Sequence, residues 1–420
     1  MSGTPTDRAS WGAATELEDV SGEVAIVGVG EADHSGASGR SAIEIGAQAV
    51  ERALEDAGLE PDQVDGLLYR SGIGPQFDEH AFHRHFGTRH ELFVSHEGGA
   101  MTWAATAPYV AAQAIRSGKA RVLVNVFSVD WASRRGQMTG GPGAFHAQER
   151  MKANLEMPFG WFPQPVYFAT IARRHAHEYG TRPEQLGAIA VAARRHANRH
   201  PTAVLREKPL TLEQYLARPM LVDPLRVEDC CLISDGGAAY VMTDPDRAAD
   251  ARKPPVQVLG IGEGHSDTGT YWSQQADFTA TPQVFSAPAA WAMAGVTPAD
   301  VDVLALYDPF TIVALMQLED MGFCKKGEGG AFAEGRNLWF DGGDLHSRGS
   351  SGLPSKGSRG LPLNTHGGLL SHAYVLGIAH VVELVRQLRG EAANQVPGAR
   401  VAVYGGYTGA TASTLVLGRA

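Results

Sequence analysis

The chain has 420 residues, of which 44% are hydrophobic and 20% are charged, and its formal net charge is −10. This is the composition of a globular protein with a sizeable core, and the acidic balance argues against a nucleic-acid partner. No run approaches the roughly 20 apolar residues of a membrane span, so we expect neither a nucleic acid nor a membrane among its partners.

The N-terminus lacks the charged-then-apolar pattern of a secretory signal peptide, and we expect residues 1–21 to form a flexible polar leader. The spacing of Cys230, Cys231 and Cys324 fits neither a metal-ligand motif nor a disulfide framework. Such cysteine usage is typical of a reducing compartment. The sequence therefore predicts a cytoplasmic chain that binds no metal and no cofactor of its own.

The first half alternates apolar strands with helices. Residues 41–57 are predicted to form a helix with Ser41 as its N-cap and Gly58 as its stop. Residues 93–115 run from a strand end through H-E-G-G into an Ala-rich helix. The V-G-V-G that follows the first strand lacks the full G-x-G-x-x-G pattern, so we do not assign it to dinucleotide binding. The predicted core strands are 23–30, 65–69 and 120–127.

Residues 131 to about 222 interrupt this alternation. They contain a glycine-rich segment, G-Q-M-T-G-G-P-G, and an aromatic segment, W-F-P-Q-P-V-Y-F, followed by amphipathic helices around 167–178 and 183–198. We predict an inserted lobe that covers one face of the core. Its aromatic residues either pack within the lobe or line an apolar slot for a substrate. The sheet is predicted to resume at 233–243.

The second half of the chain repeats the first. Three matching pairs of segments are 57–68 with 294–305, 96–115 with 365–389, and 118–126 with 398–406. Two copies of one strand-and-helix unit imply a pseudo-twofold pair of α/β layers. We therefore predict an α/β protein with an N-terminal half at 22–248 and a C-terminal half at 249–420, and with its site where the two halves meet.

The stretch 364–380, N-T-H-G-G-L-L-S-H-A-Y-V-L-G-I-A-H, is the most informative in the chain. Its paired glycines favour a tight turn, and the apolar residues that follow predict one buried helix from Leu369 to the stop at Gly390. His366, His372 and Tyr374 then lie near a helix N-terminus, which suits an anionic oxygen. Packed structural histidines are the alternative interpretation.

Just before this stretch, residues 347–354 and 355–362 form a tandem octapeptide, S-R-G-S-S-G-L-P followed by S-K-G-S-R-G-L-P. Their Gly and Ser content predicts a mobile surface loop at 344–362. Its basic side chains either remain in solvent or contact a phosphate-bearing substrate.

The duplicated α/β unit, the inserted lobe, the N-x-x-G-G turn and the Gly-rich C-terminal turn together resemble the thiolase superfamily. The resemblance covers the chain from about residue 22 to 420. It implies the thiolase fold, in which two duplicated α/β/α core halves form five layers and carry an inserted loop lobe. It also implies a C2 homodimer, which is the commonest oligomer.

The chain departs from the thiolase pattern at each catalytic position. Met101 stands near the position of the nucleophilic cysteine, and Tyr374 stands where the histidine after the Gly-Gly turn is expected. The final turn, V-Y-G-G-Y-T-G-A, has no thiol, and Y-D-P-F with Tyr307 replaces the N-E-A-F or H-D-x-F segment. Because a thioether cannot be acylated, these changes argue against acyl transfer through a cysteine.

Y-D-P-F, G-F-C-K-K-G-E and N-T-H-G-G-L-L-S-H-A-Y instead resemble the thiolase-like aldolases of steroid side-chain breakdown, often labelled lipid-transfer proteins. That resemblance implies retro-aldol cleavage of a β-hydroxyacyl-CoA with a tertiary alcohol to a ketone and a shorter acyl-CoA. It also implies an OB-fold, zinc-ribbon partner of the DUF35 type, which would hold the only zinc. The octapeptide insertion before Asn364 is a departure from this group.

Such cleavage needs a base for the β-hydroxyl, donors for the thioester oxygen, and an acid for the carbanion. We predict that Tyr374 handles the hydroxyl proton, that Tyr307 donates to the enolate or delivers the last proton, and that His366 assists, with the two tyrosine roles open to exchange. Buried structural tyrosines are the alternative. The predicted substrate-binding residues are His372, Asp308, Gly368, Gly406, Cys231 and Met101.

Three other functions stay open at this stage. The same scaffold run in the condensing direction would form a carbon–carbon bond, and only product analysis separates that reaction from cleavage. A second alternative is an inactive subunit that binds acyl-CoA or sterol and stabilises its OB-fold partner. Such a subunit would have no need of two tyrosines at acid–base positions, which argues against it. A cysteine-dependent thiolase would be inactivated by thiol alkylation, and the absence of a cysteine before Cys230 argues against it.

Overall fold

The computed structural model describes residues 11–71, 74–135, 152–268, 272–275, 277–341 and 360–419. The strands are β1 (Gly12–Ala14), β2 (Ala25–Glu31), β3 (Gly66–Leu68), β4 (Phe93–Ser95), β5 (Val122–Asp130), β6 (Met220–Val222), β7 (Leu225–Arg226), β8 (Asp235–Thr243), β9 (Val256–Ser266), β10 (Val303–Leu306), β11 (Val401–Tyr407) and β12 (Thr411–Arg419). The α-helices are α1 (Ala42–Ala57), α2 (Glu79–Phe86), α3 (Trp103–Arg116), α4 (Gln164–Tyr179), α5 (Pro183–Arg199), α6 (Leu212–Ala217), α7 (Pro245–Ala248), α8 (Gln283–Ala294), α9 (Thr311–Asp320), α10 (Gly329–Ala333), α11 (Gly368–Ser371) and α12 (Ile378–Arg389). Within the described ranges, no helix is both long and apolar enough to cross a bilayer.

Ten of these strands form one mixed sheet in the order β10-β11-β12-β9-β2-β8-β5-β3-β4, with β1 beside β9. Each half contributes the same arrangement, β3-β5-β8-β2 in the first and β10-β11-β12-β9 in the second. In both halves the first pair is parallel and the next two are antiparallel. The identical order confirms the duplication predicted from the repeated segments.

Helices cover the outer face of each half at equivalent places. Gly28 and Gly30 of β2 lie so close to α1 that a Cβ on either would meet the helix backbone, and Gly260 and Gly262 of β9 approach α8 in the same way. The V-G-V-G of β2 and the L-G-I-G of β9 are therefore copies of one packing motif. Glycine is required there because backbone and helix touch.

Two central helices, α3 and α12, lie between the halves and contact strands of both. Only two residue pairs between β2 and β9 join the two halves of the sheet, and the succession of outer helix, first half-sheet, central helices, second half-sheet and outer helix gives the predicted five layers. Helix α12 is buried on nearly every side, and its buried positions include the polar His380, Glu383 and Gln387. A helix surrounded by protein in this way belongs to the core rather than to the surface.

The single helix predicted from Leu369 to Gly390 is wrong, because the structure divides it. Helix α11 ends at Ser371, and α12 begins only at Ile378. Leu376 and Gly377 both have positive φ, at 52° and 97°, which no right-handed helix accommodates. Tyr374 therefore lies in an irregular segment, residues 372–377, rather than at the start of a long helix.

The predicted flexible leader is also wrong for the residues that the structure describes. Gly12–Ala14 pairs with β9, and Trp11 packs edge-on against Phe285 with ring centroids 4.9 Å apart. Val20 is fully buried. Burial of these apolar side chains holds the segment on the sheet.

Other local predictions are confirmed. Ser41 caps α1 in a reciprocal capping box with Glu44, and Gly58 ends the helix in the left-handed conformation. The two lobe helices appear as α4 and α5. Residues 136–151, which hold the glycine-rich part of the lobe, and residues 342–359, which hold most of the octapeptide repeat, lie outside the described residues.

Candidate active site

Three segments that are distant in sequence meet at the C-terminal end of β10. They are residues 230–234 before β8, residues 307–310 after β10, and residues 364–377 before α12. The Cys231 N–H donates to the Pro309 carbonyl at 2.9 Å, and the Tyr374 N–H donates to Ser234 Oγ at 2.7 Å. This end of a parallel strand is where α/β proteins place their sites.

Asn364 fastens the third segment to β10. Its amide Nδ2 donates to the Leu306 carbonyl at 2.9 Å, and its Oδ1 accepts from the Leu306 N–H at 2.8 Å. Asn364 has a positive φ of 49°, a conformation that asparagine tolerates better than most residues. The asparagine of the N-x-x-G-G turn is thus a positioning residue for the loop that follows.

The two predicted catalytic tyrosines are brought together. The phenols of Tyr307 and Tyr374 lie close enough for each to affect the pKa of the other. Tyr307 is only 6% exposed, whereas Tyr374 is half-buried and its ring lies against Trp131 with centroids 5.1 Å apart. The pair therefore sits at the edge of the core, with Tyr374 as the more accessible member.

Both phenols are neutral in this environment. Burial raises the pKa of Tyr307, and the adjacent Cys231 adds to the increase. Burial raises the pKa of Tyr374 well above its ordinary value, and Tyr307 and Cys231 reinforce it. The assistance of His366 to Tyr374 stays a prediction, and the groups that surround Tyr374 in the structure disfavour a phenolate.

Cys231 lies next to the tyrosine pair but is not a nucleophile. Burial raises its pKa, and the neighbouring Cys230 and Asp308 reinforce the increase. The thiol form, which is the weaker nucleophile, is therefore favoured. Cys231 can contribute contacts to a bound molecule, as expected for a substrate-binding residue.

Asp308 links the Y-D-P-F segment to the Gly-Gly turn. Its Oδ1 accepts from the Leu369 N–H at 2.8 Å and lies 3.1 Å from His380 Nε2. Its Oδ2 is buried without a hydrogen-bond partner among the described residues. Gly368 has φ 61°, and a Cβ there would overlap Oδ2 of Asp308. Only glycine fits at this position.

His366 lies beneath this turn and is 2% exposed. Its ring packs edge-on between His372 and His380, with centroids 5.0 and 4.6 Å away. Both ring nitrogens lack a hydrogen-bond partner in the described part of the chain. Burial lowers the pKa of His366 well below its ordinary value, and His380 and His372 lower it further, so the imidazole is neutral.

His372 contacts Thr202, Glu31 and neighbouring histidine rings. Its Nε2 lies 3.2 Å from Thr202 Oγ1 and 3.8 Å from Glu31 Oε1. Burial lowers the pKa of His372 well below its ordinary value, and Glu31 opposes that decrease. His366 and His372 therefore belong to a row of buried histidines and do not hydrogen-bond to Tyr374.

Met101 occupies a strained turn at the head of α3, with φ 59°. Its carbonyl accepts from the Tyr404 hydroxyl at 2.9 Å, and the backbone of Gly406 approaches the same carbonyl. The backbone strain is typical of a functional turn, but a thioether occupies it. The predicted substrate-binding residues Met101 and Gly406 are thus neighbours.

Sequence reasoning did not identify three site neighbours: His380 on Asp308, Trp131 on Tyr374, and Ser234 on the Tyr374 backbone. Each contact crosses from one segment to another, and no spacing in the sequence indicates it. Hydrogen bonds from Cys231 to residue 309 and from Leu232 to residue 369 make the segment before β8 part of the site wall.

Comparison with known proteins gives a consistent result. A family model described as "Thiolase C-terminal domain-like" matches residues 264–419. The chain is 34% identical to a "Steroid side-chain-cleaving aldolase" from Thermomonospora curvata, over 94% of this chain and 98% of that protein. It is 36% identical to the "17-hydroxy-3-oxo-4-pregnene-20-carboxyl-CoA lyase" of Mycobacterium tuberculosis, over 95% of this chain and 100% of that protein.

Solved structures agree with these sequence relatives. The solved "Ltp2-ChsH2(DUF35) aldolase" superposes with a TM-score of 0.81 at 32% identity, covering 96% of this chain and 99% of that one. Human mitochondrial 3-ketoacyl-CoA thiolase superposes with a TM-score of 0.65 at 14% identity, covering 94% of this chain and 98% of that one. The second likeness concerns the fold alone.

Proposed function

Because the chain belongs to the thiolase superfamily, as a carbon–carbon lyase of its steroid side-chain-cleaving aldolase group, we propose that it cleaves a steroid side-chain β-hydroxyacyl-CoA. The substrate carries a tertiary alcohol at the β carbon. The products are a ketone and a short acyl-CoA, and no cysteine is acylated.

One observation carries this proposal: Tyr307 and Tyr374 lie close together, and Tyr307 packs against Gly377, next to the Leu376 carbonyl that binds the strained turn at Met101, which stands in place of a cysteine. A thiolase needs a nucleophile, which Met101 does not supply. A retro-aldol reaction needs only proton transfer and stabilisation of an enolate. The site offers groups for that chemistry.

In the proposed reaction the proton transfers are concerted with the breaking of the Cα–Cβ bond, whose electron pair enters the thioester enolate as the ketone forms. Tyr307 gives its own proton to Cα as it takes the proton of Tyr374, and Tyr374 takes the β-hydroxyl proton in exchange. One proton leaves the alcohol and one arrives at carbon, so a pair of neutral phenols completes the reaction without a free phenolate.

Other groups serve the acyl-CoA in this proposal. His366, whose ring nitrogens lack a partner among the described residues, would donate to the thioester oxygen, whereas the unpartnered Oδ2 of Asp308 at the Gly368 turn would accept from an N–H of the acyl-CoA. Cys231, Met101 and Gly406 line the same region and supply apolar and backbone contacts. His372, which lies farther along the histidine row, supports this wall and does not reach the reacting carbon.

We also propose that the chain works in a hetero-complex with an OB-fold, zinc-ribbon protein of the DUF35 type. The support is the similar solved structure, whose name places a DUF35 protein beside the aldolase. A homodimer and a cytoplasmic location are further parts of the proposal. The three cysteines form no disulfide, which fits a reducing compartment.

The test is a cleavage assay with a steroid side-chain β-hydroxyacyl-CoA that carries a tertiary alcohol, with and without a DUF35-type protein. We expect ketone and short acyl-CoA in equal amounts. Tyr374→Phe should lower the rate by about 10²–10⁴, and Tyr179→Phe, in α4, should leave it unchanged. Tight acyl-CoA binding without product under every condition would favour an inactive scaffold, and bond formation from ketone and acyl-CoA would favour the condensing direction.

A further inference from the structure

A second cluster of chemically capable side chains lies outside the tyrosine site. Glu31 ends β2, His34 follows three residues later, and His372 lies in the irregular segment between α11 and α12. One ligand atom from each residue lies within 4.8 Å of the others. We propose that Glu31, His34 and His372 bind one divalent transition-metal ion, such as Zn²⁺, which fastens the Tyr374 segment to the end of β2.

The spacing of the three side chains fits an ion of that size. Glu31 Oε1 lies 3.1 Å from His34 Nε2 and 3.8 Å from His372 Nε2. Ligands about 2.0–2.1 Å from a tetrahedral zinc lie roughly 3.3 Å from one another. These two separations bracket that value, and all three ligand atoms lie within 4.8 Å of one another, so side-chain rotations would bring them to a common ion.

The cluster is buried, and its rings keep uncommitted nitrogens. The side chains of His34 and His372 are 0% exposed, and that of Glu31 is 6% exposed. Nδ1 of each histidine lacks a hydrogen-bond partner among the described residues. The proposed ligands are the Nε2 atoms, which contact Glu31 in His34 and both Thr202 and Glu31 in His372, and each Nδ1 would keep its proton when Nε2 binds the ion.

The ligand set indicates the class of metal. Two imidazoles and one carboxylate suit Zn²⁺ and its neighbours in the first transition row, whereas Mg²⁺ and Ca²⁺ prefer sites built from oxygen. Arg386 forms an ion pair with the other carboxylate oxygen of Glu31. Such an outer contact holds a ligating carboxylate in a fixed orientation. Three protein ligands leave one position for water.

The proposed ion has a positional consequence. Tyr374 lies two residues after His372, in a segment without helical hydrogen bonds of its own. A metal that joins His372 to β2 would restrict that segment and hold Tyr374 near Tyr307. The ion takes no part in bond cleavage, so this proposal is independent of the reaction assigned to the tyrosines.

The test uses the full chain without an affinity tag, dialysed against a chelator and then supplied with Zn²⁺. After removal of loose metal, elemental analysis should find one zinc per chain, and the thermal midpoint should be higher than that of the metal-free protein. Co²⁺ in place of Zn²⁺ should give the visible absorption of a four-coordinate site.

His34→Gln is the decisive variant, because it leaves the Glu31–Arg386 ion pair intact. We expect it to lose the tight equivalent of zinc and the Co²⁺ spectrum. Its matched control is His265→Gln near the end of β9, the strand that corresponds to β2 in the second half, which should keep both. His85→Gln, on the histidine-rich α2, tests for surface binding and should also keep both.

Three results would overturn the proposal: no tight zinc in the wild-type chain, equal retention by His34→Gln, or loss of the zinc in His85→Gln. Should His34→Gln fold poorly, His372→Gln provides the same comparison from the other side of the site. The wild-type zinc content and Co²⁺ spectrum decide in any case, since neither depends on a variant or on catalytic activity.

Discussion

The backbone N–H of Met101 donates a hydrogen bond to the carbonyl of Leu376. Both residues have positive φ, at 59° and 52°, and each stands two residues before a central helix, α3 for Met101 and α12 for Leu376. The bond therefore joins equivalent positions of the two copies. Left-handed backbone is costly for residues with a Cβ, so a hydrogen bond directly joins two strained turns, one from each half of the chain.

The strain at Met101 predicts that glycine at this position gives a more stable protein than alanine, the reverse of the usual order in helices. Met101→Gly should be more stable than Met101→Ala by about 1 kcal/mol, because both variants lose the same side chain but only glycine accepts this φ without cost. At the exposed helical position Gln113, the order should be the usual one, with Ala above Gly by about 1 kcal/mol. Urea unfolding measures both pairs, and the same order at both positions would contradict the assignment of strain.

The contact between Gly368 and Asp308 predicts that a side chain at position 368 costs more stability than backbone strain alone would explain. Gly368→Ala places a Cβ on Asp308 Oδ2 and should abolish cleavage while lowering stability by about 2–4 kcal/mol. Gly390→Ala is the matched control, since Gly390 has φ 80° and open space around it, and should cost about 1 kcal/mol with activity retained. Equal effects in the two variants would show that the collision is unimportant.

The cysteines are expected to be dispensable for the chemistry. Burial raises the pKa of Cys231 and of Cys324, so iodoacetamide at neutral pH should leave the cleavage rate unchanged. Cys231→Ala should raise KM by a few fold with little change in kcat, because the side chain touches the substrate region without reacting. The cysteine-dependent thiolase would be favoured instead if iodoacetamide inactivated the protein completely and bound acyl-CoA prevented that inactivation.

Buried histidines predict acid sensitivity. His196 is held neutral: burial lowers its pKa from 6.5 to about 4, and its Nε2 accepts from the Phe340 N–H at 3.1 Å. The unfolded chain takes up this proton first, so stability present above pH 6.5 is lost as the pH falls. His196 alone should account for about 3 kcal/mol of unfolding free energy between pH 7 and 4.

The measurement is urea unfolding at several pH values in that range. His196→Gln, if folded, should flatten the acid slope by up to about 1.4 kcal/mol per pH unit. His80→Gln changes an exposed side chain and should leave the slope as it is in the wild type. If the unfolding free energy has the same pH dependence in all three proteins, protonation of His196 does not cause the acid sensitivity.

Local chemistry allowed much of the fold to be predicted. The Ser41 cap, the Gly58 stop and the three repeated segments depend on neighbours in sequence, and each appears in the structure. The break after Ser371 was not predicted, because the apolar spacing continues on both sides of Gly377, the one glycine between Leu369 and Leu388. At the break Leu376 accepts a hydrogen bond from the distant Met101, a contact that no local pattern encodes.

The site shows the same limit. Tyr307 and Tyr374 were singled out by resemblance to a family, since burial in the core is the ordinary reason for a tyrosine in such positions. The structure brings the pair together and adds Trp131 and His380, which no motif indicated. Glu31 and His34 were assigned no role, because their partner His372 comes from the other end of the chain.

The pairing of the two halves has a consequence for how the protein is made. Strands β2 and β9 share only two residue pairs, and α12, which fills the space between the sheets, is among the last elements to leave the ribosome. Until then the inner face of the first half lacks its cover. Expressed alone, residues 22–248 should aggregate, and nascent chains should need a chaperone until synthesis is almost complete.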